Sequence, residues 1–250
     1  MGIGLLSKLI VGSERIVVFT GAGVSLESGI DLLTIWSEED LYDLSDKNFL
    51  GNPDSREKQW KLLSEKEYII EAAPNQTHCT LAEMDKLGKL NCVITENIDN
   101  LLQKAGVSES KIIELYGNLS RAKCLTCGKI VPMKEVLQKV KKGIGAPDCP
   151  ECSGLLKPDA IFFPDEIPEE TIRMAIDRSR NCDLFISLGS SLATYPPAYL
   201  IGYAKIGGAT LAVVGETPTL FDKDAVAAIK ESAAETMAGV MEKLREKILS

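Results

Sequence analysis

Histidine is nearly absent from this sequence: His78 is the only one among 250 residues. A single imidazole is all that acid–base chemistry of that kind has to draw on. Aromatic residues make up only 6% of the chain, so a buried core has to be built from Ile, Leu, Val and Ala. An excess of Lys and Arg is missing too. The net charge of -8 argues against a phosphate-backbone binder, because nonspecific nucleic-acid affinity comes mainly from clustered cations. No stretch reaches the roughly 18 unbroken apolar residues that a membrane span needs. Met1 to Val11 lacks an A-x-A-like cleavage site and reads as a surface helix, and Ser7 falls one position too late for the myristoylation pattern. The expectation is a cytoplasmic protein with neither membrane nor nucleic acid as a partner.

What is present suffices for one full core, since 45% of the residues are hydrophobic, with a smaller module attached. Short β-branched runs at Ile16–Thr20, Cys92–Thr95, Ile112–Leu115, Asp183–Leu188 and Ala209–Val214 read as strands. Helical patterns occupy Ser55–Ile70, Thr77–Leu87, Ile98–Ala105, Glu169–Arg178, Pro197–Ile206 and Ser232–Ile248. Strands that are apolar throughout, separated by helices, imply a parallel sheet covered on both faces. In such a doubly wound α/β fold, ligands sit at the carboxyl ends of strands near a topological switch point. Two stretches break the alternation. Residues 31–73, rich in charge and turn formers, read as a helical insertion, and residues 120–158 read as a separate small module between the two parts, 1–119 and 159–250, of the large domain.

The small module holds four of the seven cysteines, as Cys124-x-x-Cys127 and Cys149-x-x-Cys152 with 21 residues between the pairs. Each pair can fold into a tight turn that aims two thiolates at one point, and two such turns complete a tetrahedral zinc site. Four protein ligands leave no open position for water, so the metal would be structural. Cys92 and Cys182 lie at the starts of apolar strands and read as buried structural thiols. Nothing marks them, or Cys79, as a nucleophile.

The run Val17-Val18-Phe19-Thr20 feeds directly into Gly21-Ala22-Gly23-Val24-Ser25. A strand leading through small residues into a helix lets backbone amides approach a pyrophosphate, with the helix dipole assisting. Glycine-rich turns are also common connectors, so this one needs company. Thr95-Glu96-Asn97-Ile98-Asp99 and Gly189-Ser190-Ser191-Leu192 supply it, each following an expected strand. Three small or polar turns, each at a strand's carboxyl end, point to one convergent site.

Taken together, these segments resemble the sirtuin family from about Ile16 onward. Gly21 to Ile30 looks like its opening NAD motif; Pro74-Asn75-x-x-His78, Asn97-Ile98-Asp99 and Glu114-Leu115-x-Gly117-Asn118 look like the next segments. The cysteine quartet matches its zinc module, and the Gly189 to Leu192 turn its later NAD contact. The resemblance implies a Rossmann-like large domain, NAD, structural zinc and transfer chemistry on acylated lysines. By that analogy Gly21, Ala22, Gly23, Ser25, Glu96, Ile98, Gly189, Ser190, Ser191, Gly215 and Glu216 would line the dinucleotide. Asn97 would face the ribose and Asp99 the nicotinamide amide. His78 would be structural, hydrogen bonded at a helix start.

The sequence departs from the family pattern in four places. Tyr116 stands where active members carry a histidine. With an ordinary pKa of about 10, only roughly 0.1% of a tyrosine is ionised near neutrality. Loss of a positioned base costs about 10²–10⁴ in rate. After Ile30 the family reads Pro-Asp-Phe-Arg, whereas this chain reads Asp31-Leu32-Leu33-Thr34-Ile35-Trp36 and lacks the Phe and the Arg. Phe163-Pro164-Asp165 replaces Phe-Gly-Glu in the peptide-binding stretch, where proline removes a backbone donor. Gly215 replaces an adenosine-side Asn, and Glu96 the usual Gln.

Two functional readings follow. The first is an NAD-consuming enzyme that acts on an acylated or ADP-ribose-accepting protein, with Asn97 and Asp99 retained for nicotinamide–ribose cleavage and Tyr116 in the base position. Its product is either a deacylated lysine or a transferred ADP-ribose, as in macrodomain-linked sirtuins that also lack the histidine. The second is a noncatalytic NAD sensor or interaction module that keeps the fold and the zinc. An unrelated zinc-ribbon protein leaves the ordered series of motifs unexplained.

Overall fold

The first strand, β1 (Ile16–Thr20), is buried along its whole length, and the large sheet is arranged around it. The structure is a computed structural model that describes residues 2–162, 165–193 and 195–248. Val17 and Phe19 point to one face and pack with Phe185 and Ile201, while Ile16 and Val18 point to the other, against Leu6, Leu81 and Met237. Two-sided burial is what a run of apolar residues ending only in Thr20 provides for. Five further strands complete a parallel sheet: β2 (Cys92–Thr95), β3 (Ile112–Glu114), β7 (Leu184–Leu188), β8 (Thr210–Val214) and β9 (Ala227–Ile229). Their order is β3-β2-β1-β7-β8-β9. The chain steps from β1 to β2 and β3 on one side, then restarts at β7 on the other. The switch point therefore lies at β1, flanked by β2 and β7.

Helices α1 (Gly2–Gly12), α6 (Gln76–Lys86) and α11 (Ala233–Ile248) cover one face of the sheet. Helices α9 (Glu169–Arg180) and α10 (Leu200–Ile206) cover the other. The expected N-terminal helix forms, but it is sunk into the molecule through Leu6, Ser7 and Ile10. The pattern over Ser55–Ile70 divides into α4 (Pro53–Glu65) and α5 (Tyr68–Glu71), with α4 opened by the Asn52 side chain and Pro53. Together with α2 (Glu38–Leu44) and α3 (Asp46–Gly51), these make the insertion helical. The pattern over Ile98–Ala105 becomes helix only at α7 (Leu101–Ala105), because Asn100 takes a left-handed turn at φ 65°.

A second sheet is antiparallel, in the order β5-β4-β6, from β4 (Gly117–Cys124), β5 (Ile130–Pro132) and β6 (Leu156–Ala160), with α8 (Met133–Lys141) packed beside it. None of these strands was expected, nor was β9. The reason is legible: β4 reads Gly-Asn-Leu-Ser-Arg-Ala-Lys-Cys and β6 Leu-Lys-Pro-Asp-Ala, neither a β-branched run, while β5 and β9 are only three residues long. The small sheet and the helical insertion share one core, with Phe49, Trp60, Leu119 and Val136 fully or almost fully buried in it. The four-cysteine lobe and the inserted helices thus form one body over the carboxyl edge of β1–β3.

Gly117 joins the two sheets and shows why glycine is required there. Its φ is 71°, and a Cβ would lie 2.2 Å from the carbonyl oxygen of Asp159. Gly117→Ala is expected to cost at least about 3 kcal/mol in urea unfolding, from left-handed strain plus a backbone clash.

His78 is 1% exposed in α6, where its Nδ1 accepts from the Asn75 amide at 3.3 Å within a capping box. This is the structural role expected of it. Burial lowers its pKa from 6.5 to about 4. The unfolded chain therefore binds this proton first as pH falls. The stability held by neutral His78 is complete above about pH 6.5 and lost toward pH 4, amounting to about 3 kcal/mol. Urea unfolding of wild type and His78→Gln across this range is expected to show that step only in the wild type.

Candidate dinucleotide site and cysteine centre

The turns that follow β2, β1 and β7 meet because those strands are neighbours. The turn after β1 lies against the turn after β7: the Gly21 amide donates to the Leu188 carbonyl (3.1 Å) and the Gly23 amide to the Gly189 carbonyl (2.8 Å). A Cβ on Gly21 would stand 2.6 Å from Ser190 Cβ, and one on Gly23 would stand 2.9 Å from Gly189 Cα. Both glycines are therefore needed for the two backbones to close up. Beyond Gly21 the chain forms two 3₁₀ turns, Ala22–Val24 and Leu26–Ser28, and not the α-helix expected there. A helix macrodipole is correspondingly absent, and local amides carry the electropositive character. The amides of Ser190 and Ser191 have no partner among the described residues and lie at this rim.

Behind the rim is a buried polar lock. Asn97 Nδ2 donates to Ser25 Oγ (3.0 Å) and to the Gly21 carbonyl (3.1 Å), and Ser25 Oγ donates to Asp99 Oδ2 (2.6 Å). Asp99 Oδ1 accepts from the Leu101 amide at the start of α7. Ser25 and Asp99 are 0% and 4% exposed, so both hold the turns in place and neither lines an open surface. Burial raises the Asp99 pKa, opposed by the Ser25 hydrogen bond. Ile98 is turned into the core shared by the small module. Gly215 follows β8 beside Gly189, while Ser191 and Glu216 are exposed.

Glu96 sits nearer the surface. Its amide donates to the Thr20 carbonyl (3.0 Å), and its Oε2 accepts from Ser190 Oγ (3.0 Å), so one side chain ties the turns after β2 and β7. Burial pushes its carboxyl up to about 7, against the pull of Ser190.

Tyr116 lies between β3 and β4, half-buried, with its ring against both the sheet core and the small-module core. Burial, reinforced by the Glu96 charge, lifts its phenol to about 12, so it stays protonated. Arg121 fixes this junction from below, pairing with Glu114 and Asp159 at 2.6 Å each. No sequence signal announced Arg121, because its partners lie 7 and 38 residues away.

The Asp31–Trp36 loop closes on itself, as the Asp31 carboxylate accepts from the Leu33 amide (3.1 Å) and Thr34 Oγ1 (2.6 Å). Phe163 and Pro164 lie outside the described residues. Asp165 accepts from the Asp46 amide at 2.7 Å.

The chain matches the Sir2 family model over residues 21–196. It belongs to the Sir2 family. NAD-dependent protein deacetylase 1 of Pyrobaculum aerophilum is 37% identical over 246 residues, covering 96% of this chain and 93% of the relative. A structure solved for the basis of sirtuin substrate affinity has a TM-score of 0.88 at 32% identity and covers 97% of this chain and 99% of its own. Another, a Sir2 protein with a His-to-Tyr substitution, solved with a p53 peptide and NAD, has a TM-score of 0.83 at 32% identity, with both chains fully covered. The sirtuin fold expected from the motifs is thus present. The glycine close approach and the free rim amides fit a dinucleotide.

The cysteine centre fits this sirtuin's expected zinc. The four sulfurs lie within 4.8 Å of one another, with Cys124–Cys152 at 3.6 Å and Cys127–Cys149 at 3.8 Å. Zinc–sulfur bonds of about 2.3 Å in a tetrahedron demand sulfurs ~3.8 Å apart. Backbone N–H groups of Cys127 and Thr126 draw the Cys124 thiol down to about 6, toward the thiolate a metal binds. Cys92 and Cys182 are buried as expected, with burial raising both thiols to about 12. Chelation is expected to release one zinc per chain and lower Tm by at least about 10 °C, because the lobe shares its core with the inserted helices. Metal analysis with calorimetry checks this.

Proposed function

We propose that this sirtuin is an NAD-dependent protein lysine deacylase, and the observation that carries the proposal is the convergence of three turns from β2, β1 and β7. The amides of Ser190 and Ser191, with the bare backbone at Gly21, Ala22 and Gly23, hold the pyrophosphate. Gly215 and Glu216 border the adenosine side, and Asn97 and Asp99, bonded to Ser25 behind the rim, fix the position of the turn that faces the ribose and nicotinamide. When bound, NAD supplies an ADP-ribosyl group with nicotinamide as the leaving group. Bond cleavage of that kind rests on positioning and electrostatics more than on a base, and the Asn97–Ser25–Asp99 lock provides rigid positioning.

Tyr116 fills the base position as a neutral hydrogen-bond donor. Its phenol has no partner among the described residues, so it is free to meet a ribose hydroxyl. The His-to-Tyr Sir2 structure with peptide and NAD supports a tyrosine-bearing member of this family holding both ligands. The acylated protein docks between the four-cysteine lobe and the large sheet. Seven cysteines without a disulfide, four of them gathered for a metal, suit a reducing cytoplasm, and the net charge of -8 suits a protein substrate better than a nucleic acid. Among the described residues no helix is long and apolar enough to cross a membrane.

The test is incubation with NAD and an acetyl-lysine peptide, measuring nicotinamide and peptide mass. Nicotinamide release with loss of the acetyl group is expected, and Tyr116→His is expected to raise that rate about 10–100-fold. NAD binding without nicotinamide release from either protein would leave a sensor instead. Release that leaves the acetyl group on lysine would assign ADP-ribosyl transfer or NAD hydrolysis.

A further inference from the structure

Three acidic side chains that follow or end β2 and β3, Asp99, Glu114 and Glu96, stand at the junction of the sheet with the small module, and their hydrogen bonds separate them. Asp99 has both oxygens taken, by Ser25 Oγ and the Leu101 amide. Glu114 is likewise committed, with Oε1 accepting from Gln103 and Asn118 at 2.5 Å each and Oε2 from Arg121 at 2.6 Å. Glu96 differs. Its Oε2 is held by Ser190 Oγ, while Oε1 has no donor among the described residues. Its backbone is pinned to Thr20 at the switch point, and its charge acts on the Tyr116 phenol.

We propose that Glu96 is the proton acceptor of this site, taking over in the deacylase reading the work for which the chain has no imidazole. In that step Glu96 Oε1 takes the proton from a ribose hydroxyl. The oxygen's electron pair forms the new bond to the acyl carbon. The proton passes on to the lysine nitrogen, which leaves with the electron pair of the carbon–nitrogen bond. A water molecule meanwhile bonds to the ribose carbon that nicotinamide vacated with its bond pair and gives its proton to solvent. Ser190 keeps the other carboxyl oxygen still, as a second partner orients any positioned base.

The electrostatics agree. A carboxyl brought to about 7 is half ionised at neutral pH, the condition in which a base is both present and strong enough to work. Among the described residues no cation acts on Glu96: Lys104 interacts with Asp99 and Glu71, and Arg121 with Glu114 and Asp159. The groups facing Glu96 are the Ser190 hydroxyl from the β7 turn, the Tyr116 phenol from the β3–β4 junction and the Thr20 carbonyl from β1. Since the folded carboxyl takes up its proton more readily than the unfolded one, deacylation should rise with pH through about 7 as Glu96 ionises.

Two measurements decide the matter. In zinc-loaded, NAD-free protein with carbon-13 glutamate, one carboxyl resonance is expected to titrate near pH 7 and to vanish in Glu96→Gln. Steady-state assays with NAD and acetyl-lysine peptide then compare wild type, Glu96→Gln, Tyr116→His and the double variant. With the NAD affinity of each protein measured by calorimetry and NAD kept saturating, Glu96→Gln is expected still to release nicotinamide. Its deacylation should fall about 100-fold and lose the rise near pH 7, and Tyr116→His should restore most of it. A titration midpoint within a unit of the ordinary value of 4.5 overturns the proposal whatever the activity. Deacylation that Glu96→Gln leaves intact overturns the role of Glu96 alone. Absence of nicotinamide release from every protein defeats the deacylase reading, and the base role with it.

Discussion

The contact on which the rest depends is the meeting of two backbones at the end of β1. The Gly23 amide reaches the Gly189 carbonyl at 2.8 Å, and no side chain fits between them. This contact brings a turn near residue 21 against one near residue 190, with the β2 turn on the far side of β1. Parallel order makes all three turns emerge on the same edge, so the site is a consequence of topology before any side chain contributes. The Asn97–Ser25–Asp99 chain then fastens the arrangement with buried hydrogen bonds of 3.0 and 2.6 Å, where a loose polar group would cost stability.

Stability and chemistry divide the polar residues of this sirtuin. Asp99, Glu114 and Ser25 have spent their hydrogen-bonding capacity on the scaffold, and His78 is buried as a helix cap. Among the described residues the rim holds uncommitted groups: the amides of Ser190 and Ser191, the Tyr116 phenol, and one oxygen of Glu96. A dinucleotide brings donors and acceptors of its own, and uncommitted groups are the ones that can answer them. The four-cysteine lobe acts at a distance from this rim. It clamps the ends of β4 and β6, and Gly117 and Arg121 transmit that clamp to the Tyr116 junction.

The departures from the family pattern take on distinct structural meanings. Tyr116 still bridges two cores, so its ring has a packing role that a smaller imidazole would fill less completely. The Asp31 loop, without the Phe and Arg of the family, has closed into a self-bonded exposed turn with Leu33 82% exposed. Glu96, in place of an amide, adds the one titratable group at the rim whose environment places it near neutrality.

Much of the architecture was legible in the sequence because it rests on local and periodic signals. Apolar β-branched runs between helical patterns specify a parallel sheet. Two C-x-x-C pairs specify a metal lobe, and glycines directly after a strand specify a close backbone approach. The strands of the small sheet were not legible, since β4 is polar and its register with β6 is irregular between Gly117 and Ala122. Nor could sequence separate Ser25 and Asp99, locked inside, from Glu96, left open, for all three sit in equally suggestive turns. That distinction depends on which partner from a remote segment occupies each oxygen: Ser25 lies 74 residues from Asp99, and Glu96 lies 94 residues from Ser190. The chain alone determines which groups are available; only folding decides which of them are already used.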